Sequence, residues 1–380
     1  MRVRPSRSSR PSAGAPSQGR VRRPLSPRRR CALPGFDLGG LGWSAELADN
    51  LEQGLEPGRV VAAHRGAFDV VTAHGSVRAR LPGRLLHEGV DVAVGDWVGI
   101  AGSVIRGVLP RKSAIVRSAA GRTSESQTLA ANVDVAFVVS SLGPDLEPRR
   151  VERYLVTIWE SGATPEIVLT KADRMDDPWP LVAQVEAVAI GVAVHVVSAV
   201  TGQGCDALRA RIAEGTTAVL LGSSGVGKST LVNRFAGREL MSVKETRVDD
   251  DEGRHTTTHR ELIRLPGGGV VIDTPGLREL QLSDGGAQSV GRAFADIEAL
   301  AAECRFGDCG HSTEPGCAVQ AALRSGELSA ERHRSWLKLQ RELRAMAVRT
   351  DARLRREEKR MWQLRVRDAR SRTRHRPGRT

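Results

Sequence analysis

Residues 217–236, TAVLLGSSGVGKSTLVNRFA, decide the fold. A short apolar run comes first, then a turn punctuated by glycine, then a segment with helical spacing. Gly222 to Ser229 fits G-x-x-x-x-G-K-[ST]. Glycines let backbone N–H groups turn inward around an anion, and the helix that follows presents its positive end to the same point. The candidate phosphate contacts are Gly222, Ser223, Ser224, Gly225, Val226, Gly227, Lys228, Ser229 and Thr230. Lys228 can reach the β- and γ-phosphates, and Ser229 can ligate Mg²⁺. The loop specifies a nucleotide without specifying which one.

Working outward, apolar strands alternate with helices on both sides of the loop. VDVAFVVSS (133–141), PEIVLT (165–170), AVHVVSA (193–199) and GGVVI before Asp273 read as strands, with helical stretches between them. This alternation predicts a parallel α/β sheet covered by helices on both faces, over residues 125–282. Asp273-Thr274-Pro275-Gly276 fits D-x-x-G, in which the Asp holds Mg²⁺ through its shell and the Gly276 N–H meets the γ-phosphate. Between the two lies Gly253-Arg254-His255-Thr256-Thr257-Thr258, one of whose threonines can close over Mg²⁺, Thr257 being preferred.

The elements that read the base come earlier. Thr170-Lys171-Ala172-Asp173 is similar to N-K-x-D, the guanine-specificity pattern. The Asp173 carboxylate can accept from both N1–H and N2–H₂ of guanine, which adenine cannot offer, so the wrong base leaves a charge unpaired. Lys171 packs along the base plane. Thr170 stands in place of Asn and is expected to weaken the tie between this loop and the phosphate loop. Ser198-Ala199 ends the next strand, where the Ala199 N–H is expected to meet guanine O6. Ordinary GTPases run phosphate loop, threonine loop, D-x-x-G, N-K-x-D, S-A. Here the order is rotated, which predicts a circular permutation that ties the switch region to whatever follows.

The flanks differ in style. Residues 58–120 read as five short strands between glycine turns, expected to form a small β-barrel of the oligonucleotide-binding (OB) type. Residues 283–345 are helical and contain Cys304, Cys309, His311 and Cys317. Four such donors complete a tetrahedron and predict one structural Zn²⁺. The remaining cysteines, Cys31 and Cys205, make an odd total of 5, against a disulfide scaffold.

Residues 1–57 are read as a basic, largely disordered extension and 346–380 as a basic helical or disordered tail, within one long helix over 330–370. Residues 1–30 hold ten Arg and no acid, and 341–380 hold fifteen Lys+Arg against five Asp+Glu. The two tails carry +10 each, so a net +13 leaves −7 for residues 31–340. Such arms suit a polyanion such as RNA. With 6 Phe, 6 Trp and 1 Tyr, a broad base-stacking surface is not expected. No apolar run is long enough to span a membrane and the N-terminus lacks the apolar centre of a signal peptide, so a cytoplasmic chain with no membrane partner is expected.

Taken together, these features resemble the ribosome small-subunit-dependent GTPase A family of circularly permuted GTPases. The resemblance covers roughly residues 58–345 and rests on the rotated order, GSSGVGKST, GRHTTT, DTPG, CRFGDCGHSTEPGC and QTLAANVDVAFVV. It implies a barrel, a GTPase domain and a zinc domain. It implies late maturation of the small ribosomal subunit, with rRNA contact and GTP-to-GDP hydrolysis stimulated by that subunit. A monomer is expected. Lys228, Ser229, Asp273, His255 and Thr257 are the expected catalytic group. Many GTPases carry Gln after D-x-x-G to orient water; here Leu277 cannot, so intrinsic turnover should be slow. His255 is a candidate for that task, its alternative being packing or rRNA contact. A large-subunit GTPase, an RNA binder with a vestigial site and a P-loop ATPase remain the competing readings.

Overall fold

The computed structural model describes residues 37–118, 126–144, 146–240, 260–273, 287–312 and 314–351, with 353–357, 359–360 and 362–363 beyond them. The first barrel strand does not follow directly on the extension read over 1–57. A 3-10 turn at Gly39–Leu41 and a short helix α1 (Ala45–Asp49) precede it, with Ser44 capping α1. Leu41 is buried, so the folded chain begins well before residue 57.

The five strands expected over 58–120 form: β1 (Glu56–His64), β2 (Ala67–Thr72), β3 (Gly75–Ala79), β4 (Trp97–Ala101) and β5 (Val104–Val108), with α2 (Gly83–His87) after β3. Antiparallel pairings join β1 to β2, β2 to β3, β1 to β4 and β4 to β5. A parallel bridge between Arg80 and Val104 links the end of β3 to β5 and closes the circuit. Val60, Val70, Ala79, Val98, Ile100 and Ile105 fill the interior. A two-stranded ribbon, β6 (Ala114–Ser118) with β7 (Ser126–Ala131), leads into the next layer.

That layer comprises β8 (Val135–Ser141), α3 (Pro148–Ser161), β9 (Thr164–Thr170), α4 (Trp179–Glu186), β10 (Val194–Val196), α5 (Cys205–Ala210), β11 (Thr217–Leu221), α6 (Lys228–Ala236), β12 (Glu261–Arg264) and β13 (Val270–Asp273). The strand order is β10-β9-β8-β11-β13-β12, parallel throughout except for β12. Phe137 and Val139 pack with Leu208, Leu231 and Phe235 of α5 and α6. Ala136 and Val138, which point the opposite way along the strand, are equally buried. Both faces are therefore covered, and the near-continuous apolar runs are what such burial demands.

β12 also pairs with β1, Glu261 opposite Ala62, so barrel and α/β sheet form one continuous eleven-stranded sheet. Beyond β13 come α7 (Ala287–Ala293), α8 (Ala295–Ala302), α9 (Ala318–Ser325) and α10 (Ala330–Thr350). The helix expected over 330–370 stops at Asp351, whose backbone is extended. The Asp351 carboxylate accepts from the Arg353 N–H and starts a separate helical stretch at 353–357, as an N-cap does. Among the described residues, no helix is long and apolar enough to cross a membrane.

Arg59 of β1 pins barrel and sheet together. Its guanidinium donates to the Leu41 carbonyl, to Thr217 Oγ1 of β11 at 2.9 Å and to the Asn132 carbonyl at 3.4 Å, and lies 5.1 Å from the centre of the Trp97 ring. Burial pushes its pKa down to about 10, partly offset by Asp134 and Asp96, so the group stays charged at neutral pH. Arg59→Ala would leave two carbonyls and a hydroxyl unpaired beneath Trp97. It is expected to cost about 2–4 kcal/mol, read as an earlier urea midpoint by tryptophan fluorescence.

Candidate nucleotide site and Cys/His cluster

Residues far apart in the chain meet at the carboxyl ends of the parallel strands. Ser141 ends β8, Thr170 ends β9, Ser198 follows β10, Gly222 follows β11 and Asp273 ends β13. The chain runs outward from β8 through β9 to β10, then returns to place β11 on the other side of β8. The crevice outside this reversal point is where open α/β sheets bind ligands, and the phosphate loop lies there.

Backbone constraints shape the loop. Gly222 has φ 149°, and a Cβ there would lie 2.1 Å from the Val139 carbonyl. Gly227, at φ 98°, caps α6, and the Leu231 N–H donates to its carbonyl at 3.0 Å. Lys228 Nζ donates to the carbonyls of Gly222 and Ser223, both at 2.7 Å, so the loop's own backbone aims the ammonium. Ser229 and Thr230 fall in the first turn of α6. A cavity of about 550 Å³ opens beside the loop, its walls including Arg150, Tyr154, Lys171, Ser223, Ser224 and Val226.

The loop at 170–173 is tied to the phosphate loop directly. Thr170 is buried, and its Oγ1 donates to the Val226 carbonyl at 2.5 Å, with the Ser140 carbonyl at 3.2 Å. A hydroxyl has one proton, so the shorter contact holds it. The tie to the phosphate loop that Thr in place of Asn was expected to weaken is made here by this single hydroxyl. Lys171 adopts φ 60°, and a 3-10 turn, Ala172–Arg174, follows it. The Ala172 N–H donates to the Val197 carbonyl at 3.2 Å.

Ser198 Oγ donates to Asp173 Oδ1 at 2.5 Å and accepts from the Thr201 N–H at 3.2 Å. The two pieces read separately as T-K-x-D and S-A are thus one hydrogen-bonded unit, with Ala199 packed on the core behind it. Cys205 is buried and donates its thiol to the Ser198 carbonyl at 3.3 Å. His255, Thr256, Thr257, Thr258, Gly276 and Leu277 lie outside the described residues, as do Cys31 and the 1–30 arm.

The second cluster lies between α8 and α9. The ligand atoms of Cys304, Cys309, His311 and Cys317 all fall within 4.8 Å of one another. Cys304 and Cys317 Sγ are 3.9 Å apart, and His311 Nδ1 is 3.5 Å and 3.6 Å from them. Tetrahedral bonds of about 2.3 Å to sulfur imply edges of about 3.8 Å, so these spacings match. His311 adopts φ 54°, and Gln320 Nε2 donates to its carbonyl at 2.6 Å. The His311 N–H draws the Cys309 thiol down, but burial and the neighbouring Cys317 and Cys304 outweigh it and push it up to about 11. Three thiols this close cannot all ionise without a cation among them.

Sequence reading missed Arg150, whose Nη1 donates to Ser223 Oγ at 3.0 Å. It also missed the buried pair of Glu152 on α3 and Arg332 on α10, 3.0 Å apart. The one available signal was the charged turn PRRVER opening an otherwise apolar helix.

A family model described as RsgA GTPase matches residues 108–283. The small ribosomal subunit biogenesis GTPase RsgA of Streptomyces avermitilis is 51% identical over 328 residues, covering 84% of this chain and 88% of that protein. Its counterpart named RsgA 2 in Lactiplantibacillus plantarum is 44% identical over 313 residues, covering 80% and 88%. The crystal structure of YjeQ from Thermotoga maritima matches with a TM-score of 0.57 at 26% identity, over 76% of this chain and 98% of that one. That of YloQ, a circularly permuted GTPase, shares the fold with a TM-score of 0.55 at 23% identity, over 77% and 96%.

Thr170→Val keeps the shape but strands the Val226 carbonyl. A loss of about 1–3 kcal/mol in chemical denaturation is expected, with Thr170→Ser close to the parent chain.

Proposed function

Because the chain belongs to the RsgA family of small ribosomal subunit biogenesis GTPases, we propose that it hydrolyses GTP to GDP and phosphate while bound to the maturing small subunit and its rRNA. The observation that carries this reading is the single hydrogen-bonded unit formed by the loop at 170–173, Ser198 and the phosphate loop. It sets a guanine-type carboxylate, Asp173, at a fixed place relative to a phosphate-type lysine, Lys228.

In this reading Gly222 to Thr230 hold the phosphates, Lys171 lies along the base, and Asp173 and Ala199 read its edge. Ser229 would supply an oxygen donor of the hard kind that Mg²⁺ takes, Thr257 would complete the set in the triphosphate state, and Asp273 would hold the ion through its shell. Bound Mg²⁺ offsets negative charge on the β- and γ-phosphates. Lys228 and the loop amides are aimed where charge develops, which is the main source of rate in such sites. Leu277 offers no hydrogen bond to water, so His255 or a group from the ribosome would complete the site. The barrel, with its β1-β2-β3-β5-β4 circuit, is read as the OB type and as an rRNA contact, together with the basic tails. Cys304, Cys309, His311 and Cys317 would hold one structural Zn²⁺, the S–S and S–N spacings being the support. The protein is read as a monomer acting in the cytoplasm.

The first test is GTP turnover by the purified chain, alone and with small or large ribosomal subunits. Strong stimulation by the small subunit alone is expected; equal stimulation by both, or by neither, would sink the assignment. Lys228→Ala should lower turnover at least about 100-fold. Elemental analysis should find one zinc per chain. Cys309→Ser should lose it, and acidification should release it as thiolates take up protons.

A further inference from the structure

We propose that Arg150 is a positioning residue for GTP turnover, setting the phosphate loop through Ser223 from a helix that α10 braces. The proposal rests on the GTPase reading above and assigns a role to a residue outside every nucleotide motif.

Arg150 lies in the first turn of α3, beside the phosphate loop. Its Nη1 donates to Ser223 Oγ at 3.0 Å and its Nη2 to Glu147 Oε2 at 2.8 Å. The guanidinium therefore spans from the start of α3 to the second residue of the loop. Ser223 is in turn one of the two residues whose carbonyls receive Lys228 Nζ. The chain of contacts is Arg150 to Ser223 to Lys228, three side chains in series with only one loop peptide between the last two. Any shift of the 222–223 and 223–224 peptides moves the two carbonyls that aim the ammonium. Displacements of about 1 Å in such a group can cost about 100-fold in rate.

The anchor for Arg150 is fixed from the opposite side. Glu152 and Arg332 of α10 pair at 3.0 Å with 1% and 5% of their side chains exposed. Ser335 Oγ also donates to Glu152. Arg332 further binds both carboxylate oxygens of Asp296, at 2.6 and 2.7 Å, and the Ala293 carbonyl at 3.0 Å. Arg149 with Glu331 at 3.2 Å and Arg153 with Glu342 at 3.0 Å flank this buried pair. One and a half turns of α3 thus face α10 through residues 149, 152 and 153, while residue 150 faces the loop. The position of α10 on α3 is passed on to Ser223 through a single guanidinium.

Arg150 and Glu147 are 44% and 53% exposed, and pairs so open to water add little to fold stability. A purely structural role would leave turnover alone. The test compares kcat, KM and GDP dissociation for the parent chain, Arg150→Ala, Arg150→Lys, Ser223→Ala and the double alanine variant, with and without the small subunit. A roughly tenfold fall in kcat is expected for each alanine variant, with KM and GDP release within about threefold. The double variant should be no worse than either single, because both changes remove one link. Lysine should recover part of the loss, since an ammonium can still donate to Ser223 Oγ. Unchanged kcat in Arg150→Ala, losses that add in the double variant, or a loss confined to KM would each overturn the proposal. A parent chain without GTP turnover would overturn the GTPase reading and this proposal with it.

Discussion

The buried guanidinium of Arg59 is the point on which the relation between the parts depends. It lies under the Trp97 ring and reaches the turn at Leu41, the linker at Asn132 and the central strand at Thr217. Burying a charge is expensive unless nearly every donor finds an acceptor. That condition can be met only if barrel, linker and α/β sheet stand in one arrangement, so the same interaction that is costly in isolation is selective in place. Nearby polar groups repeat the logic. Asp96, fully buried, is gripped by Arg111 at 2.7 Å and by the Ala93 N–H at 2.7 Å. Asp134 accepts from the Thr217 N–H at 2.7 Å and pairs with Lys112.

A second buried arginine, Arg332, forms an ion pair with Glu152. Burial raises the pKa of Glu152 while Ser335 and Arg332 act to lower it, and the carboxylate is held between two helices. Arg332 is stacked 4.7 Å from the centre of the Phe294 ring, which excludes water from the same group. The α/β layer is thus held by two buried arginines, Arg59 of β1 to Thr217 and Arg332 of α10 to Glu152. The rotated motif order makes this possible. With the termini moved away from the ends of an ordinary GTPase sheet, one flank joins next to β8 and the other follows β13, so both can pack against the strands and helix that carry the nucleotide loops.

The candidate site was legible where its chemistry is made by neighbours in sequence. GSSGVGKS needs glycines at set positions because their backbone must approach other backbone, as Gly222 does against Val139. The Cys/His set spans fourteen residues, so its short spacing alone already brings four donors within reach of one another. Thr170 could be placed but not weighed. Whether a hydroxyl can replace an amide depends on the distance to Val226, 56 residues away. Arg150 was not legible at all, because nothing in PRRVER says which of three arginines faces Ser223.

By itself the sequence determined the α/β alternation, the rotated motif order, the glycine-lysine loop after β11 and the close spacing of Cys304, Cys309, His311 and Cys317. Each of these is written in local patterns: strand and helix periods, glycine placement and short donor spacings. Only the tertiary structure decided that β12 joins β1, that Ser198 donates to Asp173 and that α3 stands between α10 and the phosphate loop. Those contacts join residues tens to nearly two hundred positions apart. A side chain's partner across such a distance is set by the packing of whole layers and by the cost of leaving a buried polar group unpaired, and neither quantity exists until the chain has folded.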